Sequence, residues 1–106
     1  MRIQLLTFPG CPNAAATRAL LARVLAATKI RAPIEDVNIE APETLDSMRA
    51  YGSPTILIDG APVGGPGENG AASCRVYRDV SGHASGVPPE TAIRAALQAA
   101  PQPSRR

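Results

Sequence analysis

The sequence predicts one α/β domain with element order βαβαββα and a four-stranded mixed sheet. Three observations predict it. Short β-rich apolar runs recur at Ile3–Phe8, Pro33–Glu40 and Ser53–Gly60. An Ala- and Leu-rich stretch lies between the first two, so strands one and two are parallel and joined by a right-handed crossover. A last amphipathic stretch opens at Pro88-Pro89-Glu90. The domain covers residues 1–100, and residues 101–106 read as a disordered tail.

Each element has its own local reason. Ile3-Gln4-Leu5-Leu6-Thr7-Phe8 is mostly apolar and stops at Pro9-Gly10, as a buried central strand closed by a turn would. Cys11-Pro12 opens a helix running to about Thr28, with proline at the first helical position and Cys11 as its N-cap. Ala16, Leu20, Val24 and Ala27 recur at helical spacing, widened by Leu21 and Leu25. The second strand takes its apolar content from Ile34, Val37 and Ile39. A shorter helix from Pro42 places Leu45 and Met48 on one face and stops at Gly52. The third strand ends at Asp59-Gly60, and the glycine-rich residues 61–73 read as a long loop. Cys74-Arg75-Val76-Tyr77-Arg78 is the candidate fourth strand, followed by a turn at Ser81–Gly86 holding His83. Ile93, Ala96, Leu97 and Ala100 share a face of the last helix.

Composition narrows the function classes. At 44% hydrophobic and 19% charged, the 106 residues suit a soluble globule rather than a disordered chain. The net charge of +2 owes much to Arg105 and Arg106, and no basic stripe is interleaved with aromatics, so no nucleic-acid partner is expected. No apolar run approaches the ~20 residues a membrane span needs, and the opening residues lack a signal-peptide pattern. Two cysteines make no disulfide framework, so the expected compartment is cytoplasmic. One histidine and two distant cysteines do not make a metal site.

A cysteine directly after the first strand and a proline directly before the third resemble the thioredoxin fold. The residues that carry this likeness are Pro9-Gly10-Cys11-Pro12-Asn13-Ala14 and Gly52-Ser53-Pro54-Thr55. More narrowly, the chain is similar to small bacterial thioredoxin-like proteins with a Gly-Cys-Pro start, a Gly-Ser-Pro-Thr strand and a Ser-Cys-Arg-x-Tyr element. Relatives of that kind are sometimes labelled alkylmercury lyase. The resemblance implies helices on both faces of the sheet. It also implies a cis Pro54 facing the active cysteine, and a Ser53 backbone that pairs with bound peptide or glutathione. Pro12 belongs to the same substrate-facing loop. Ala14 stands where a Cys-x-x-Cys motif has its second cysteine, so the chain resembles a monothiol member.

Cys11 is therefore the candidate catalytic residue. A thiolate attacks disulfides and binds soft metals, and a helix N-terminus favours negative charge. The alternative is an inert apolar cysteine at a strand end. Cys74 and His83 are accessory candidates. If strands three and four pair as a hairpin, Cys74 sits roughly 13 Å from the level of Pro54. A disulfide needs Cα atoms within ~7 Å, so Cys74 reads as structural. His83, with Asp79, returns to the Cys11 side of that hairpin, either to meet the thiol or to lie in solvent.

The leading expectation is thiol–disulfide exchange on a disulfide-containing or thiol substrate. It uses no bound cofactor, and an external low-molecular-weight thiol resolves the adduct. The alternatives are a thiol-binding protein for soft metals or organomercurials, and a non-catalytic interaction domain. The sequence leaves the oligomeric state open.

Overall fold

The computed structural model describes residues 1–44, 51–64, 77–78 and 81–99. These form β1 (Ile3–Thr7), α1 (Ala14–Thr28), β2 (Ile34–Asn38), β3 (Thr55–Ile58), β4 (Ala61–Pro62), β5 (Tyr77–Arg78), β6 (Ala84–Ser85) and α2 (Glu90–Ala99). A four-stranded mixed sheet has the order β2-β1-β3-β4, and β5 and β6 make a separate two-stranded ribbon.

β1 is the middle of the sheet. It runs parallel to β2, from Ile3 opposite Ile34 to Thr7 opposite Asn38. On its other side it is antiparallel to β3, from Ile3 opposite Ile58 to Leu6 opposite Thr55. Alternate residues consequently face opposite sides. Ile3, Leu5, Ile56 and Ile58 join Leu21, Val24 and Leu25 of α1 and Ile93 and Leu97 of α2 in one core. Leu6 and Leu57 face the other way, where Ile39, Phe8, Val37 and Tyr51 cover them. Both described helices thus pack on one face. The helix expected from Pro42 shows only turns up to Thr44, whose N–H donates to Ala41 O at 3.0 Å. Its continuation, with Leu45 and Met48, lies outside the described residues, as do Ala100 and the 101–106 tail.

The sheet gains a strand where the sequence reading places the start of the 61–73 loop. β4 is Ala61–Pro62, with Leu57 opposite Pro62 and Ile58 opposite Ala61. Asp59 (φ 51°) and Gly60 (φ 86°) both occupy the left-handed region, which is the geometry of a tight two-residue hairpin. A two-residue closure orders little chain, so this local pairing costs little entropy. Of the expected fourth strand, Tyr77–Arg78 pairs with Ala84–Ser85, and Cys74–Val76 lies outside the described residues.

α1 also departs from its expected limits. Its N-cap is Asn13 and its first helical residue is Ala14, so Cys11 and Pro12 precede the helix. The Cys11 N–H donates to Phe8 O at 3.1 Å, which closes a turn at the end of β1 before the helix begins. The buried stripe is Thr17, Leu21, Val24 and Leu25, whereas Ala16 and Ala27 are exposed. A polar residue at position 17 masked that register. At the far end Lys29 takes the left-handed conformation (φ 61°), and Ile30 N–H reaches Leu25 O at 3.0 Å.

Candidate functional site

The candidate site lies at the end of the sheet where β1 finishes and β3 begins. β1 and β3 are antiparallel and Leu6 faces Thr55, so the turn after Thr7 and the residues before Thr55 leave the same edge. The first carries Cys11 and the second carries Ser53 and Pro54. The Ser53–Pro54 peptide bond is cis. Cys11 is a free cysteine, 8% exposed, with Pro12 exposed beside it.

The residues before β3 are tightly held. Ser53, Pro54 and Thr55 are all buried. The Thr55 hydroxyl donates to Gly52 O at 3.1 Å, bracing the loop from inside. The Tyr77 hydroxyl donates to Pro54 O, bracing it from the β5–β6 ribbon. The Tyr77 ring lies over Gly64, where a Cβ would stand 3.1 Å from a ring carbon. Gly64 has φ +78°, so both contact and conformation call for glycine.

Asn13 makes no side-chain capping bond to α1, and the Ala14 N–H donates to Cys11 O at 3.3 Å. The Asn13 side chain instead lies against Gly86, where a Cβ would come within 2.1 Å of Nδ2. The segment 77–86 therefore meets both walls of the site, Pro54 through Tyr77 and the Cys11 turn through Asn13. Asn13, Tyr77 and Gly86 were not singled out from the sequence. A buried tyrosine in an otherwise arginine-flanked run was the one available signal, whereas the Asn13–Gly86 approach joins residues 73 positions apart with no local mark.

His83 is exposed and lines a cleft of about 380 Å³ with Tyr77, Ser85, Val87 and Glu90. Cys11 does not line this cleft. Glu90 at its rim accepts from Arg94 at 2.8 Å and stands 3.8 Å from Arg23. Cys74 and Asp79 lie outside the described residues. Among the described residues, no group of three or more His, Cys, Asp or Glu side chains is placed to hold a metal. No described helix is long and apolar enough to cross a membrane.

Thr17 Oγ1 and Ser53 Oγ have no hydrogen-bond partner among the described residues. Among the described residues, the displaced titrations are those of Arg2, raised by its hydrogen bond to Glu35, and of Glu35, at the opposite end of the sheet. Hydrogen bonding from Arg2 holds the Glu35 carboxyl below the usual carboxylate range.

No protein-family model, no curated protein and no solved structure matches this chain.

Proposed function

We propose that the chain is a monothiol thioredoxin-like protein that carries out thiol–disulfide exchange through Cys11. The carrying observation is the antiparallel register of β1 and β3, which brings the free Cys11 and the strand-entry residues Ser53 and Pro54 to one edge. The start of α1 beside that edge, which has no side-chain cap, supports the reading, since helix N-termini favour anions. The second face of the sheet would be covered by the helix expected from Pro42, completing helices on both faces.

The chemistry is a two-step exchange. The Cys11 sulfur attacks one sulfur of a substrate disulfide, forming a mixed disulfide, and the S–S bonding pair leaves with the departing thiolate. An external low-molecular-weight thiolate then attacks the substrate-derived sulfur of the adduct. Cys11 is released as thiolate and the external thiol ends in the new disulfide. That thiol supplies the electrons that the departing thiolate gained. Ala14 cannot resolve the adduct, so the second thiol comes from outside this motif.

The test is mass spectrometry of the reduced chain after incubation with glutathione disulfide. Wild type and Cys74→Ser should each gain one glutathionyl group, and Cys11→Ser should gain none at the same dose. An adduct confined to Cys74, or none on wild type, would reject the proposal.

A further inference from the structure

We infer that Tyr77 is a positioning residue for exchange at Cys11. It holds the Pro54 carbonyl, and with it the substrate-facing edge of β3, in one orientation relative to the thiol. This inference rests on the reading of Cys11 as the exchanging thiol.

The ladder between β1 and β3 ends at the Leu6–Thr55 pair. Pro54 lies beyond it and is buried, so its carbonyl needs a donor from elsewhere. Tyr77 supplies that donor from 23 residues away. Its side chain is 4% exposed although its strand is only two residues long and belongs to the separate ribbon. The ring is seated on Gly64 and the hydroxyl on Pro54, so one side chain ties β5 to the residues that flank the β3–β4 hairpin on either side. The same segment ends at Gly86, against Asn13 and the Cys11 turn. Tyr77 thus belongs to a single span of chain that touches both partners in the exchange geometry.

In that exchange a peptide disulfide delivers one sulfur to Cys11 and lays its backbone along the edge at Ser53–Pro54. The new Cys11–sulfur bond forms as the peptide's own S–S bond breaks and the second sulfur departs as thiolate. Tyr77 touches neither sulfur. It fixes the carbonyl whose orientation sets how the peptide backbone lies. A small reagent that reaches Cys11 without pairing to this edge has no use for it.

The test compares wild type with Tyr77→Phe, which keeps the ring on Gly64 and removes only the donor. With a peptide mixed disulfide as substrate and glutathione as the resolving thiol, KM should rise about fivefold. The rate of Cys11 alkylation by iodoacetamide should stay within about twofold, since that reagent gains nothing from the edge hydrogen bond. An unchanged KM, or equal losses in both reactions, overturns the positioning role. Cys11→Ser run in parallel separates this from failure of the exchange reading, because exchange that survives in that variant rejects the latter. A second measurement covers a Tyr77→Phe chain that does not fold. The sequence has two tyrosines and no tryptophan, so in a Tyr51→Phe background the intrinsic emission comes from Tyr77 alone. Forming the Cys11–peptide mixed disulfide should change that emission. Constant emission through complete adduct formation overturns the inference.

Discussion

The side chain of Asn13 rests on the α-carbon of Gly86, so closely that a methyl group there would fall 2.1 Å from Nδ2 and 2.6 Å from Cγ. One contact thereby fixes the start of α1, two residues after Cys11, to the approach of α2. Gly86→Ala should destabilise the chain by about 1–3 kcal/mol through overpacking. Asn13→Ala should recover much of that loss in the double variant, giving a favourable coupling in a double-mutant cycle read by urea unfolding. Strict additivity of the two would show that the contact is not held in solution.

Thr17 and Thr55 make opposite predictions. Both are 0% exposed, yet Thr55 donates to Gly52 O whereas Thr17 Oγ1 has no partner among the described residues. Thr17→Val removes a desolvated hydroxyl that gains nothing and should raise stability by about 1 kcal/mol. Thr55→Val should lower it by about 1–2 kcal/mol, because it frees a carbonyl in the loop before β3. Chemical denaturation of the two variants tests this, and a matched sign would contradict the assignment.

Lys29 closes α1 in the left-handed region, where a Cβ is a liability. Lys29→Gly should stabilise by about 0.5–1 kcal/mol, the relief being partly offset by greater freedom in the unfolded chain. The melting temperature should therefore rise by a few degrees. A fall would mean that the lysine charge at the helix end outweighs its backbone strain.

Arg2 and Glu35 form a two-point ion pair, with Nε–Oε2 at 3.0 Å and Nη2–Oε1 at 3.1 Å. The hydrogen bond from Arg2 lowers the Glu35 pKa, so its stabilising contribution is present above the unfolded-state value. That contribution is lost as pH falls through the lower folded-state value. Wild type should melt above Glu35→Gln at neutral pH, by about 1–2 °C at most for so exposed a pair. The gap should close on acidification, and also in high salt. A gap that widened towards low pH would reverse the linkage.

The parallel pairing of β1 and β2, the extent of β3 and both described helices were legible because their cues are local. Ile3–Thr7 and Thr55–Ile58 are apolar and β-rich, and Ile93 and Leu97 share a helical face. Asp59-Gly60 is equally local, but the same pair marks a strand end as readily as a hairpin that recruits Ala61 and Pro62. The helix start was misplaced by two residues, since Pro12 fits a turn that lacks an amide donor as well as it fits a first helical position. At the site, Cys11, Ser53 and Pro54 announce themselves by residue type and order. Tyr77 and Gly86 do not, because their importance depends on a ribbon folding back across the molecule.

The central place of β1 bears on how the chain assembles during synthesis. Its two neighbours, β2 and β3, both come later in sequence, and the second is separated from it by about fifty residues. A nascent chain consequently carries Ile3, Leu5 and Leu6 as an unsheltered adhesive segment until Thr55–Ile58 has emerged to flank them. Pro9-Gly10 directly behind that segment limits how far it can extend into mispairing with other chains.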